Sequence, residues 1–252
     1  MSAWGGDGAL SRLRRREPVF GAIQSIPSAT LTEVAVSCGY DFIILDCERG
    51  VLSESAVTAS LETISRTQAF SIVRVPPRDY LAVRRYLDCG ADGILMPNVR
   101  TSAEAHAFVA AATLNSNRSD SSTRINTARE ELPLLLAMIE TLEGVSQLNA
   151  IASTAGIDGL VIGPHDLAID LGAPNDFLTP EFQVAFARIE RAARKAGLLL
   201  GTRTLPDFPF QKLLLGGHTF ILLCADVAAL REGYRTHLEK VRGQNILKLQ
   251  DS

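Results

Sequence analysis

The chain has 252 residues, enough for one large domain or two small ones. Apolar residues make up 46% and charged residues 21%, the proportions of a globular protein with a sizeable core. The net charge of −3 argues against nucleic acid or an anionic membrane as a partner. The basic cluster formed by Arg12 and residues 14–16 is expected to be a solvated helix end.

Membrane and secretory segments are not expected from this sequence. No apolar run approaches the roughly 20 residues of a membrane span, and the N-terminus lacks the apolar core of a signal peptide. The four cysteines, at positions 38, 47, 89 and 224, show no C-x-x-C or metal-binding spacing. We therefore expect reduced, mostly buried thiols in a cytoplasmic protein.

Apolar, β-rich runs recur along the chain, and they are continuous rather than alternating, as in strands buried on both faces. The predicted strands are Val19–Ile23, Phe42–Leu45, Phe70–Val75, Gly93–Met96, Leu134–Ile139, Gly159–Ile162, Leu198–Gly201 and Thr219–Leu223. The predicted helices between and after them cover 28–38, 54–67, 79–89, 102–114, 144–154, 179–195, 207–215 and 226–240.

Eight strands alternating with eight helices in about 250 residues predict a (β/α)₈ TIM barrel. We expect one TIM-barrel domain over residues 1–252, with a short tail at about 242–252. The segment 114–131 is polar, rich in Ser and Asn and without apolar period, which predicts a mobile loop. A doubly wound open sheet is the alternative, but no Gly-rich phosphate loop follows the first strand.

In such a barrel, catalytic residues lie at the C-terminal ends of the strands. One carboxylate there could be a helix cap or part of a surface ion pair. Four carboxylates and three arginines on one rim indicate an active site instead. The polar and special residues at these ends are Gln24, Asp46, Cys47, Glu48, Arg49, Arg74, Asn98, Glu140, Gly163, Pro164, His165, Asp166, Arg203 and Cys224.

Two of the carboxylates, Glu140 and Asp166, end adjacent predicted strands. Two carboxylates with waters and a bidentate substrate fill an octahedral site for Mg²⁺ or Mn²⁺. Zinc would require more His or Cys, and only His165 is near. Arg74 could pair bidentately with a carboxylate or stabilise an oxyanion. The expected cofactor is thus a divalent metal, with no organic cofactor.

Several motifs occur together in one known family. The stretch GAIQSIPSATLTEVAVSCGYDFIILDCERG matches a block that ends in D-x-E-H-[AG], and VRVP, YLDCGADGILMPNV, MIET and GPHDLAIDLG extend the match over nearly the whole chain. On these motifs the chain resembles the HpcH/HpaI aldolase family of metal-dependent pyruvate aldolases. The resemblance implies a class II aldolase, a carbon–carbon lyase acting through the metal-bound enolate of pyruvate or oxaloacetate. It further implies an aldehyde or other carbonyl acceptor, and a homo-oligomer (hexamer or trimer).

The resemblance also implies roles for individual residues. Glu140 and Asp166 would bind the metal, while Asp46 and Glu48 would reach metal-bound waters. Arg74 would stabilise the enolate oxygen. Further substrate contacts are expected from Arg74, Gln24, Gly163, Pro164 and His165.

Three departures from the family pattern bear on the chemistry. Arg49 stands where the family has its basic His, although Asp88 matches the Asp that orients that His. Met138 replaces a Gln, and the segment 114–131 replaces a Pro- and Gly-containing loop. A guanidinium stays protonated and cannot abstract a proton. Arg49 could therefore form an ion pair with Asp88, or bind a substrate carboxylate or phosphate.

With Arg49 in place of the His, the sequence leaves several routes to the enolate. His165, a metal-bound hydroxide, or decarboxylation of a 2-oxo diacid without any base could each give the enolate. The expected catalytic residues are Arg74, Arg49, Asp88 and His165. One alternative is an oxaloacetate-type decarboxylase or a citrate-synthase-like condensing enzyme that uses the same metal-bound enolate. A non-catalytic dicarboxylate-binding barrel is the alternative from another class.

Overall fold

A computed structural model describes residues 8–113 and 132–242. The predicted loop 114–131 and nearly all of the predicted tail lie outside the described residues. The strands are β1 Val19–Gln24, β2 Phe42–Asp46, β3 Phe70–Arg74, β4 Gly93–Met96, β5 Leu134–Ile139, β6 Gly159–Ile162, β7 Leu199–Arg203 and β8 Phe220–Ala225. They pair in parallel and in chain order, and β8 pairs with β1. This closed barrel confirms the TIM-barrel prediction and excludes the open sheet. The domain extent of 1–252 stays a prediction.

The helices follow the strands in alternation. They are α1 Ala9–Arg14, α2 Ala29–Ser37, α3 Glu54–Ser65, α4 Tyr80–Asp88, α5 Ser102–Thr113, α6 Leu142–Ser146, α7 Leu148–Ala152, α8 Pro164–Asp170, α9 Pro180–Ala196, α10 Phe210–Leu215 and α11 Asp226–Arg242. Two differences from the prediction matter. The helix expected at 144–154 is divided at Gln147, and α8 was not expected. Pro164 occupies the first position of α8, where its missing N–H is not needed.

Two apolar clusters lie on either side of the strands. The inner cluster fills the barrel with alternate strand residues, and the outer cluster packs the other strand residues against the helices. Helix α1 adds Ala9, Leu10 and Leu13 to the inner cluster, so it closes the end of the barrel opposite the strand tips. The prediction of a solvated basic cluster is wrong for Arg12, which is buried and binds both carboxylate oxygens of Asp41 at 2.9 and 3.1 Å.

Helix α11 differs from the other long helices of the described chain, because none of its 17 residues is buried. Leu223, on the outer side of β8, is 38% exposed. Strands of a parallel barrel are normally covered on both faces, so this part of the outer surface lacks its helix. None of the described helices is long and apolar enough to cross a bilayer. The four cysteines are free thiols, and Cys38 is exposed, contrary to the expectation of burial.

Candidate active site

The period-two alternation of the strands decides which side chains enter the mouth of the barrel. The inward positions of β2 are Phe42 and Ile44, so the next inward residue is Asp46. The same counting brings further charged residues to the mouth from β3, from the position after β5, and from β7. These are Arg74, Glu140 and Arg203. All four line a cavity of about 240 Å³ at the C-terminal ends of the strands.

Arg74 and Asp46 form the central ion pair of the mouth. They are register partners on β3 and β2. Arg74 donates from Nε to Asp46 Oδ1 at 2.9 Å and from Nη2 to Oδ2 at 2.7 Å, a bidentate arrangement that fixes the guanidinium plane. Arg74 Nη1 lies 3.2 Å from Glu48 Oε2 without hydrogen-bond geometry, so this buried oxygen has no hydrogen-bond partner. Asp46 Oδ1 also accepts from the backbone N–H groups of Glu48 and Arg49, which holds the turn after β2.

Glu140 is only 4% exposed and follows β5 directly. Burial, followed by the charges of the nearby Asp166 and Glu48 carboxylates, raises the pKa of Glu140 to about 8. A hydrogen bond from the Asn98 backbone and the charge of Arg74 act in the opposite direction. Burial likewise raises the pKa of Glu48, against the attraction of Arg74 and Arg49. A raised pKa means that these carboxyl groups are ionised only at a cost, which a bound cation would offset.

Gly163 is required for Glu140 to occupy this position. A Cβ at residue 163 would lie 2.4 Å from Glu140 Oε2 and 2.8 Å from Glu140 Cβ, and 3.2 Å from Met138 Sδ. The contact with Glu140 Cβ cannot be relieved by a side-chain rotation alone. The φ of Gly163, −93°, is open to any residue. Glycine is therefore needed here because Glu140 approaches closely, and not because of the backbone conformation.

Arg49 pairs with a predicted metal ligand. Its Nη2 donates to Asp166 Oδ2 at 2.6 Å, and the Arg49 side chain is 56% exposed. The predicted Arg49–Asp88 contact is wrong for the described chain. Asp88 ends α4, which runs from the tip of β3 to the opposite end of the barrel, and it binds Arg84 at 2.9 Å. Within one chain, Asp88 is thus not placed to act in this mouth.

Gln24 was expected to contact substrate, and the structure contradicts this. Ile23 faces the cavity, so its neighbour Gln24 faces outward and is 3% exposed. Its Nε2 donates to the carbonyls of Ile26 and Ser28, and its Oε1 accepts from Thr32 at 2.8 Å. Gln24 therefore holds the β1–α2 connection.

His165 lies in the first turn of α8, and it lines the cavity together with Gly163, Pro164 and Asp166. Its ring packs edge-on against Phe177, with 5.2 Å between ring centres. Nδ1 is 3.3 Å from the side-chain oxygen of Asn175. Burial, and then the charge of Arg203, lower the pKa of His165. Neutral imidazole that donates through Nδ1 keeps a free lone pair on Nε2.

Comparison with known proteins identifies the family. The family model described as HpcH/HpaI aldolase/citrate lyase matches residues 25–232. The chain belongs to the HpcH/HpaI aldolase/citrate lyase family. It is 31% identical to a hydroxypyruvate/pyruvate aldolase of Paraburkholderia phytofirmans, over 92% of this chain and 96% of that protein. The family and its aldolase relatives make this chain a carbon–carbon lyase, which agrees with the sequence-based expectation.

Solved structures of the family share the fold. A family member from Burkholderia cenocepacia J2315 superposes with a TM-score of 0.82 at 28% identity, covering 92% of this chain and 98% of the other. The citrate synthase SbnG gives a TM-score of 0.83 at 22% identity, covering 94% and 98%. At that identity the likeness shows the fold alone, so it does not favour the condensing alternative.

The donor set suits the divalent cation expected of this HpcH/HpaI family member. In the described part of the chain, no three His, Cys, Asp or Glu side chains are grouped to hold a metal ion on their own. Glu140 and Asp166 would supply two oxygen ligands, which suits Mg²⁺ because this ion keeps several waters. A bound cation would attract Glu48 Oε2, which is buried without a hydrogen bond, and would offset the repulsion between Glu140 and the nearby carboxylates. The residues present fit the group.

Arg203 lines the mouth, although the sequence analysis assigned no role to this residue. It was visible as a charged residue at a strand end, but many such residues form surface ion pairs. Its significance depends on its partners, which only the folded chain shows.

Proposed function

We propose that this protein is a divalent-metal-dependent class II aldolase that makes or breaks a carbon–carbon bond next to a 2-oxo acid such as pyruvate. One observation carries the proposal: Arg74, Glu140 and Asp166 line the same cavity at the strand tips of a barrel that belongs to an aldolase family. Glu140 and Asp166 would hold Mg²⁺ or Mn²⁺, and Asp46 and Glu48 would reach metal-bound waters. A bound cation would polarise the 2-oxo group of the substrate as a Lewis acid.

Arg74 supplies the positive charge for the enolate oxygen. Its guanidinium lines the cavity and is only slightly exposed, and Asp46 fixes its orientation through two hydrogen bonds. A donor that is already oriented needs no rearrangement when negative charge develops on the substrate. Asp46 is therefore a positioning residue in this proposal.

His165 is proposed as the proton acceptor in place of the family's His. Arg49 cannot take this role, and it is engaged with Asp166. Among the described histidines, His165 alone lines the cavity. His106 binds the Ser102 carbonyl, His218 binds Glu190, and His237 lies on α11. The neutral ring of His165 can accept a proton from the methyl group of pyruvate.

Replacement of His165 is expected to slow deuterium exchange into pyruvate by about 100-fold or more, the usual contribution of a general base. His165→Asn removes the ring and keeps a polar side chain. Exchange would be followed by NMR in deuterated buffer with Mg²⁺. Arg49→His is the informative companion, because it restores the family's His without an Asp88 contact to orient it. Fast exchange in His165→Asn would exclude His165 as the base and leave a metal-bound hydroxide as the proton acceptor. Faster exchange in Arg49→His than in wild type would show that an imidazole at position 49 can take the role even without that contact.

The aldolase activity itself is tested by supplying pyruvate with several aldehydes, with Mg²⁺ or Mn²⁺ and after chelation. Formation of 4-hydroxy-2-oxo acids only in the presence of metal is the expected result. Metal-dependent carbon dioxide release from oxaloacetate without any aldehyde adduct would favour the decarboxylase instead.

We also propose that copies of the chain associate through α11. Its exposed apolar residues Val227, Tyr234, Leu238 and Val241 recur at helical spacing and form one stripe. The outer face of β8 at Leu223 lacks a covering helix. A second copy can supply its α11 to this face and receive the first copy's α11 in return, which covers both surfaces by two-fold symmetry.

Leu238→Lys is expected to convert the assembly to monomer, because it places a charge in the apolar stripe. Light scattering coupled to gel filtration measures the mass. Val184→Lys, on α9, is the matched control, since Val184 is 57% exposed and Leu238 is 50% exposed. A wild-type protein that is monomeric at micromolar concentration would contradict the proposal.

A further inference from the structure

Three arginines face the cavity, and they differ in their partners. Arg74 is bound by Asp46, and Arg49 is bound by Asp166. Arg203 has no ion pair or hydrogen bond from its side chain to any of the residues in 8–113 and 132–242. Its Nε is fully buried and lacks a hydrogen-bond partner. An unpaired guanidinium that loses part of its hydration is costly, so this position favours the binding of an anion.

The surroundings of Arg203 also favour a bound anion. The inward series Leu199, Gly201 and Arg203 points the side chain into the cavity, with Leu222 on the neighbouring strand. Burial, and then the positive charge of Arg74, lower the pKa of Arg203. The two arginines repel each other, which is relieved when an anion lies between them or beside either one.

The position of Arg203 distinguishes two parts of the mouth. Arg74 is on β3 and Arg203 is on β7, so they stand on opposite sides of an eight-stranded barrel. The proposed metal ligands Glu140 and Asp166 follow β5 and β6. The 2-oxo acid therefore belongs to the β3–β6 side of the mouth, and the β7–β8 side is left for the carbonyl acceptor. His165, the proposed base, is close enough to Arg203 for their charges to interact.

We propose that Arg203 binds a carboxylate of the acceptor, so that this enzyme prefers aldehydes carrying a carboxylate over neutral aldehydes. This inference rests on the proposed aldolase function. Guanidinium is well suited to the role because its planar fork matches the two carboxylate oxygens. Arg203 takes no part in the bond changes and acts as a specificity-determining residue.

The test compares matched acceptors with pyruvate and Mg²⁺. Glyoxylate carries a carboxylate where glycolaldehyde carries a neutral hydroxymethyl group. Succinic semialdehyde, which is anionic, and butanal, which is neutral, make a second pair with longer chains. Arg203→Gln is expected to lower kcat/KM for the anionic aldehydes by about 10- to 100-fold, mainly through KM, because a charge-assisted hydrogen-bond pair is lost. The neutral aldehydes should change by less than about 3-fold.

Two control variants separate this role from a structural one. Arg203→Lys keeps the charge but not the fork, and should recover part of the preference. Arg194→Gln removes an exposed arginine of α9 and should leave both classes of aldehyde unchanged. Equal losses for anionic and neutral aldehydes in Arg203→Gln, or no loss for either, would overturn the proposal. If kcat/KM falls only when oxaloacetate replaces pyruvate as the 2-oxo acid, Arg203 binds the 2-oxo acid, and the acceptor role is overturned.

Failure of the aldolase proposal can be told apart from failure of this one. If wild type forms no adduct with any aldehyde, binding of succinic semialdehyde, which is not a 2-oxo acid, is measured by calorimetry on wild type and Arg203→Gln. At least about 10-fold weaker binding in the variant supports the anion site even without aldolase activity. Equal binding, or no binding to either protein, overturns it.

Discussion

Arg74→Ala is expected to lower kcat for the aldol reaction of pyruvate by about 100- to 1000-fold, with little change in KM. The reason is that Arg74 is aimed at charge that develops only as the enolate forms. Its orientation is set by Asp46 before substrate arrives, so the wild-type enzyme does not reorganise at that step. Steady-state kinetics with saturating aldehyde separates kcat from KM. An increase confined to KM would make Arg74 a ground-state clamp for the substrate carboxylate.

The same substitution has a structural consequence that must be separated from catalysis. Arg74→Ala leaves Asp46 and Glu48 buried without their cation, and breaking a buried pair costs about 3–5 kcal/mol of stability. Thermal melting measures this loss. Arg74→Lys keeps the charge near Asp46 but loses the bidentate fork, so it should be more stable than Arg74→Ala while remaining strongly impaired in kcat.

Asp166→Ala is expected to weaken Mg²⁺ or Mn²⁺ binding by at least about 10-fold, the lower end of what even indirect ligand partners contribute. One of the two proposed protein ligands is lost, and Arg49 loses its partner close to Glu140. Calorimetric titration of the metal-free protein measures the affinity. Unchanged affinity in Asp166→Ala would remove Asp166 from the metal site.

Arg49→Gln is the matched control with the opposite expected sign. In wild type the Arg49 guanidinium occupies Asp166 Oδ2 at 2.6 Å, so it competes with a cation for that oxygen. Its removal should leave metal binding unchanged or tighten it. Weaker binding in both variants would indicate a general disturbance of the mouth and not the loss of a ligand.

Much of the fold was predictable because the strands are continuous apolar runs. Gly93–Met96, Leu134–Ile139 and Gly159–Ile162 were predicted to the residue, since both faces of each strand are buried. Helix α8 was missed because it has only seven residues and begins with the Gly163–Pro164 pair at its N-terminus, a dipeptide that is typical of a turn. The division of the helix at Gln147 has no strong sequence signal either, because no proline or αL glycine stands there.

The residues of the site were predictable where the alternation of inward and outward strand residues places them. They were not predictable where their position depends on side-chain partners. Asp46, Arg74 and Glu140 continue inward series, and they do face the mouth. The same counting applied to Gln24 excludes it, because its neighbour Ile23 takes the inward position. Asp88 was assigned from similarity to a family motif, and within one chain it lies at the end of the barrel opposite the mouth. Its catalytic role stays a prediction. The catalytic, metal-binding and substrate-binding roles themselves stay proposals.

Deuterium incorporation into pyruvate, followed by NMR, tests the central claim that this mouth forms the enolate of a 2-oxo acid with the help of a divalent cation. It needs no knowledge of the natural aldehyde. Wild type should exchange the methyl protons with Mg²⁺ or Mn²⁺ present. It should lose the exchange after chelation, regain it on adding metal back, and show none above background in Glu140→Gln. Absence of exchange in metal-loaded wild type, or exchange that persists in Glu140→Gln, would contradict the account.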